Sequence, residues 1–189
     1  AFGHQFHVHK NQDDILYSIK NGYFEYANSI TKKKINKNGF SFILNESDKT
    51  AQLCEINEKE EENEIFIPST IIHESKKYSI TSLSNSLFSN LDNIKSIKFD
   101  ENSMIRNLDA NIGCMNLEEI SIPENMVEFS CSWCNSTPNL KKVKISPKNK
   151  NLLFYEDNFL IGKSDIKSDI FDILYFARRD IKEAIIPPF

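Results

Sequence analysis

Cys131-Ser-Trp-Cys134 is the pattern in this chain that points most directly to chemistry. Two thiols at this spacing exchange between dithiol and disulfide when a helix N-terminus following a strand lowers the pKa of the attacking one. They supply half of a zinc site when a second pair of ligands stands at matching spacing. Cys54 and Cys114 are isolated and offer no such pair. The pair therefore reads as apolar packing, since free cysteine is among the most buried residue types, with a thiol redox or metal-binding protein as an alternative. His4, His7 and His9 would put His7 and His9 on one face of a strand, but at a chain terminus they read as a mobile end. Asp165, Asp169 and Asp172 lack the spacing of a calcium loop and read as the tip and flank of a hairpin. Five glycines in 189 residues leave no phosphate-binding motif, and His73 sits in a connection without a motif. No nucleophile has a placed base. No catalytic residue, metal or cofactor is expected, and the chain reads as non-enzymatic.

The elements that would hold these residues are set by a repeat. Ile94-Lys-Ser-Ile97-Lys-Phe99, Leu117-Glu-Glu-Ile120-Ser-Ile122 and Leu140-Lys-Lys-Val143-Lys-Ile145 follow one another at a step of 23 residues. A period in the low twenties with an L-x-x-I-x-I core indicates a leucine-rich-repeat solenoid. Each repeat buries its apolar edge only against a neighbour, and the stack presents an extended binding surface. The expected class is α/β: a strand-rich horseshoe with short convex helices or turns and one inserted β-hairpin. Parallel strands are predicted near 65–67, 94–99, 117–122, 140–145 and 184–186 in one sheet. Leu117, Ile120, Ile122, Leu140, Val143 and Ile145 are predicted to be buried.

Hydrophobic residues make up 40% of the chain and aromatic residues 11%, enough for a sizeable core, and the net charge is −4. An acidic balance argues against nucleic acid as a partner. No run approaches the roughly 18–20 apolar residues of a membrane helix. The first ten residues lack the basic start and apolar core of a secretion signal. Four cysteines are too few for a disulfide scaffold.

Residues 1–38 stand outside the repeat and are expected to form a partly helical extension. Leu16, Ile19, Tyr23, Tyr26 and Ile30 fall at spacings of 3 and 4 on one helical face, and Lys32-Lys33-Lys34 suits a helix C-terminus. Asn38-Gly39 marks a turn. The repeat domain is expected over 39–189, opening with a cap hairpin over 39–64 whose strands are Phe40–Leu44 and Thr50–Ile56. Glu58 to Glu64 reads as a solvated charge run. Glu64-Ile-Phe-Ile-Pro68 is the first solenoid strand, and Lys77–Ile80 an extra edge strand in a long connection. An inserted hairpin is expected over 149–180, around Gly162-Lys-Ser-Asp165. The chain stops two residues after Pro187, inside a new repeat, and so reads as truncated at its C-terminal end.

Ile122-Pro-Glu-Asn-Met-Val127-Glu-Phe129 and Leu83-Ser-Asn-Ser-Leu87-Phe88-Ser-Asn-Leu91-Asp-Asn-Ile94-Lys-Ser-Ile97 together resemble the BspA-like class of leucine-rich repeats, surface proteins of bacteria and anaerobic mucosal protists. The resemblance extends over residues 39–189. It implies adhesion at a cell surface, with a host-matrix or cell-surface protein as partner.

Alternation along each strand points the remaining side chains outward on the concave sheet. One predicted row is Glu64, Ser96, Glu119, Lys142 and Glu183. The next is Phe66, Lys98, Ser121 and Lys144, ending at Ile185. Strands lie ~4.8 Å apart, so the rows form ladders that a bound protein could span. These are the expected ligand-binding residues of a protein-interaction or adhesion module. An intracellular scaffold of the same fold is the alternative.

Overall fold

A computed structural model describes residues 33–57, 63–89 and 91–183, together with the backbone of 15–20 and 23–28. The elements in chain order are β1 (Ile15–Lys20), β2 (Tyr23–Asn28), β3 (Lys33–Lys37), β4 (Phe40–Asn45), β5 (Thr50–Ile56), β6 (Glu64–Ile67), β7 (Thr70–His73), β8 (Lys76–Leu83), β9 (Ser96–Phe99), β10 (Asn107–Leu108), β11 (Glu119–Ile122), β12 (Glu128–Phe129), β13 (Lys142–Ile145), β14 (Leu152–Tyr155), β15 (Phe159–Gly162) and β16 (Ile173–Ala177). No helix occurs among the described residues. The predicted α/β class is corrected to a strand-rich one, and the convex segments at 85–89 and 131–136 are turns.

The repeat is a parallel sheet in the order β13-β11-β9-β6. Its register pairs Ile65 with Ile97, Ile97 with Ile120, and Ile120 with Val143. Strand starts at 96, 119 and 142 keep the step of 23. Each strand begins two residues later than predicted, because Ile94, Leu117 and Leu140 pack in the preceding turn, all at 0% exposure. Ile120, Ile122 and Val143 are buried as predicted. Ile145 is half-buried, since β13 is the edge of the described sheet. The predicted strand at 184–186 lies outside the described residues.

A second, short parallel ladder pairs β10 with β12. Between the ladders run rows of asparagine. Asn116 donates to the Asp92 carbonyl at 2.7 Å and Asn139 to that of Met115 at 3.0 Å. Asn125 donates to the Ser103 carbonyl at 2.9 Å. Asn149 donates to the carbonyls of Pro123 and Met126 and accepts the N–H groups of Asn151 and Leu152. Tight turns leave carbonyls that no strand can pair, and a side-chain amide satisfies them from one repeat to the next.

The open end of the stack meets a five-stranded sheet in the order β3-β4-β5-β8-β7. The β4–β5 pair is antiparallel, as predicted, but the sheet is larger than a hairpin. Asn38 and Gly39 turn with φ of 51° and 79°, a left-handed pair suited to a two-residue hairpin connection, and Lys37 pairs with Phe40. The boundary predicted between 38 and 39 thus falls inside a hairpin, and Lys33–Lys34 stand in a strand rather than at a helix end. Lys76–Leu83 is no edge strand, since β8 lies between β5 and β7. The sheet curls until its two edges meet: Lys33 Nζ pairs with Glu74 at 2.6 Å, and Lys37 Nζ donates to the Ile72 carbonyl at 2.5 Å. Inside the curl lie Phe42, Leu44, Leu53, Tyr78 and Ile80, none more than 1% exposed.

The helix predicted across Leu16–Ile30 is replaced by an antiparallel hairpin, with Lys20 opposite Tyr23. Ile15, Tyr17 and Ile19 alternate as a strand requires, and Asn21-Gly22 is the strongest short hairpin signal in sequence. The helical spacing was met only by passing over Ile15, Tyr17 and Phe24.

The insertion is a three-stranded antiparallel unit, β14-β15-β16, rather than a two-stranded hairpin. It docks through aromatic rings. Trp133, 1% exposed, donates from Nε1 to the Tyr175 carbonyl at 3.1 Å. Phe129 lies 4.8 Å from Trp133 and 5.2 Å from Tyr175, centroid to centroid. A side chain at Gly162 would run into the Tyr175 ring.

Candidate functional site

The outward residues of β6, β9, β11 and β13 stand in the predicted rows. Glu64 is opposite Ser96, Ser96 opposite Glu119, and Glu119 opposite Lys142. In the next row Phe66 is opposite Lys98 and Ser121 opposite Lys144. Between β9 and β11 the ladder of paired residues stops after two pairs, and Ser121 Oγ accepts the Phe99 N–H at 3.0 Å. Glu183 is exposed but lies in no strand, so the structure does not bring it into the row. Ile185 lies outside the described residues.

The charges on this face are paired rather than free. Lys98 Nζ lies 2.5 Å from Glu64. Glu119 is clasped by Lys142 at 3.1 Å and Lys144 at 2.5 Å. Partial burial pushes the Glu119 carboxyl up, but hydrogen bonds from Lys144 and Lys142 outweigh this and hold it below its ordinary value. The same bond raises the pKa of Lys144. At the amino ends of the strands, Lys95, Lys98, Lys141, Lys142, Lys144, Glu64, Glu118 and Glu119 surround a groove of about 600 Å³, with Ser96 on its floor. Five lysines against three glutamates leave this groove at +2 in a chain of net −4. At the carboxyl ends lies a second groove of about 510 Å³, lined by Phe66, Phe99, Ile122, Pro123, Ile145 and Pro147 together with Lys98, Asp100, Glu101, Asn102, Ser121, Lys144 and Ser146. Phe66 is 52% exposed there.

Alternation within strands missed a third outward column, Lys95, Glu118 and Lys141, one residue before each strand. The signal was the same step of 23 residues. Lys95 and Glu118 are 3.6 Å apart. The asparagine rows were missed for the same reason, although Asn93, Asn116 and Asn139 also recur at 23.

The structure gives Cys131 and Cys134 different surroundings. They lie in turns with no helix to stabilise a thiolate. Burial raises the Cys134 thiol against the opposing pull of Arg179, whose Nη2 lies 3.9 Å from its sulfur. The packing reading holds for Cys134, which is buried, and fails for Cys131, which is exposed. Among the described residues no three His, Cys, Asp or Glu side chains converge on a metal position. His4, His7 and His9 lie outside the described residues. No helix of the described residues is long and apolar enough to cross a membrane.

Leucine-rich repeat proteins, one of them a cell surface protein, are among the solved structures that this chain is similar to. A leucine-rich repeat protein from Bacteroides ovatus matches at 17% identity and TM-score 0.43, over 58% of this chain and 31% of its own. The pneumococcal vaccine antigen PcpA matches at 15% identity and TM-score 0.43, over 63% and 39%. A leucine-rich cell surface protein from Faecalibacterium prausnitzii matches at 13% identity and TM-score 0.32, over 70% and 59%. The chain thus spans less than two thirds of each. At these scores the likeness carries no argument about function, and the solenoid stands on the chain's own ladder. No protein-family model and no curated protein matches the sequence.

Proposed function

We propose that this chain is a non-enzymatic protein-binding module of horseshoe type that takes its ligand on the outward face of the parallel sheet, at a cell surface. The supporting observation is the lysine-rich groove at the amino ends of the strands, beside a second groove with Phe66 as an exposed apolar anchor. A positive groove on an acidic protein favours an acidic segment of the partner, which would take over from Glu119 the hydrogen bonds of Lys142 and Lys144. Phe66 supplies the kind of aromatic contact that dominates binding energy. In this reading the five-stranded sheet is the cap of the array.

The test is binding of the chain to immobilised matrix and cell-surface proteins and to acidic peptides, at low and high salt. The double variant K142E/K144E is expected to lose at least about tenfold in affinity and to lose salt dependence, in a protein that stays folded although loss of the clasp on Glu119 lowers its melting temperature. Replacing Cys131 and Cys134 by Ser is expected to lower stability and leave affinity intact. Normal binding by the charge-reversed protein, with binding lost in a folded cysteine variant, rejects the proposal.

A further inference from the structure

The charges of the outward face are sorted along the strands. In the groove at the amino ends, five lysines meet three glutamates. In the groove at the carboxyl ends, the acidic groups are Asp100 and Glu101, which directly follow β9. Lys98 and Lys144 line both grooves, but their ammonium groups lean toward the amino ends. Lys98 Nζ lies 2.5 Å from Glu64 and Lys144 Nζ 2.5 Å from Glu119. Both glutamates stand one outward row nearer those ends, opposite Ser96 and Lys142. The two lysines thus give the second groove their aliphatic stems and the first groove their charge.

Asp100 and Glu101 have no such partner. Among the described residues neither forms an ion pair. The chain that carries them is nevertheless fixed. The Asp100 N–H donates to the Ile67 carbonyl at 2.9 Å, and the Asp100 carbonyl accepts the Ser103 N–H at 3.0 Å. The Asp100 carboxylate accepts the Asn102 N–H at 2.8 Å. Between the positive and negative ends stands Phe66, opposite Lys98 and 52% exposed.

This face is therefore a fixed dipole with an apolar centre. An acidic ligand complements its amino end only and is repelled at Asp100 and Glu101. We propose, building on the outward face as the ligand site, that the partner presents an extended segment in which one large apolar residue separates acidic from basic residues. The acidic residues meet Lys142 and Lys144, the apolar residue packs on Phe66, and the basic residues meet Asp100 and Glu101. Asp100 lies four residues beyond Ser96, the β9 member of the Lys142 row. At ~3.3 Å per residue that is about 13 Å, which an extended ligand also crosses in about four residues. Its side chains at alternate positions then face the three zones in turn.

Three capped synthetic peptides titrated into the 189-residue chain test the proposal. One is bipolar, Glu-Glu-Ser-Phe-Ser-Lys-Lys. The second has the same composition with the charges interleaved, Glu-Lys-Ser-Phe-Ser-Lys-Glu. The third is acidic at both ends, Glu-Glu-Ser-Phe-Ser-Glu-Glu. The bipolar peptide is expected to bind at least about fivefold tighter than either of the others. D100N/E101Q keeps an acceptor for the Asn102 N–H and is expected to abolish the preference over the acidic peptide. Glu101→Lys is expected to reverse that preference, and it carries the test should the double variant melt early. An acidic peptide that binds wild type, is lost in K142E/K144E and equals the bipolar peptide in affinity overturns this inference and leaves the binding face standing. Failure of all three peptides to bind, or equal binding by K142E/K144E, overturns the binding face and the inference together.

Discussion

Glu46 concentrates much of the five-stranded sheet's electrostatics in one side chain. Hydrogen bonds from Lys49, then Tyr78 and Lys76, lower its pKa from 4.5 to about 2. The Tyr78 ring is fully buried while its hydroxyl donates to Glu46, and the phenol is raised from 10.0 to about 12. A depressed carboxylate contributes stability that is present above 4.5 and lost as pH falls through about 2. A raised phenol contributes stability that is present below 10.0 and lost as pH rises through about 12. Melting temperatures measured against pH should show Glu46→Gln flattening the acid limb and Tyr78→Phe the alkaline one. An unchanged profile in either variant would contradict the pairing. At the solenoid, Ile120 is fully buried, whereas the Lys142 side chain is 59% exposed and paired only across the surface. Ile120→Ala should cost about 2–5 kcal/mol and Lys142→Ala no more than ~0.5 kcal/mol. Denaturant titration separates the two, and equal losses would reverse the assigned strand faces.

At the scale of elements, the repeats are joined by backbone pairing in the strands and by asparagine in the turns. The carbonyl of Lys95 accepts the N–H groups of Glu118 and Glu119, and that of Glu118 accepts those of Lys141 and Lys142. Asn149 closes the turn after β13 with four hydrogen bonds. Asn149→Ala leaves two carbonyls and two N–H groups short of partners and should cost about 1–3 kcal/mol. Asn149→Asp keeps the acceptor but sets a carboxylate oxygen against the carbonyls of Pro123 and Met126, so it should cost at least as much as alanine. A neutral alanine variant would show that solvent serves the turn equally well.

At the scale of the whole molecule, three sheets share a continuous core. Leu53 and Tyr78 of the five-stranded sheet, Ile97 and Ile120 of the solenoid, and Leu160 and Phe176 of the insertion belong to one apolar cluster. The insertion joins that cluster chiefly at Trp133. Trp133→Phe keeps an aromatic ring but removes the hydrogen bond to Tyr175. Hydrogen exchange should then accelerate across 152–177 while the β9–β11 ladder keeps its protection. Equal acceleration in both would mean that the insertion does not open on its own.

The sequence by itself determined the solenoid, because a repeat that must stack on its copy has to restate its buried positions at a fixed step, and Ile97, Ile120 and Val143 do so. It also determined the outward rows, since alternation within a strand follows from backbone geometry. What it did not determine was whatever depends on partners distant in the chain. The 3-and-4 spacing of Leu16 to Ile30 is compatible with a helix, and strand pairing replaced it. The curl of the five-stranded sheet brings Lys33 to Glu74 and Lys37 to the Ile72 carbonyl. The order of the outward rows puts Glu119 beside Lys142, but the structure alone shows Lys144 on the same carboxylate and Lys98 on Glu64. Periodicity records which way a side chain points, whereas the group it meets is decided by how the sheets are brought together.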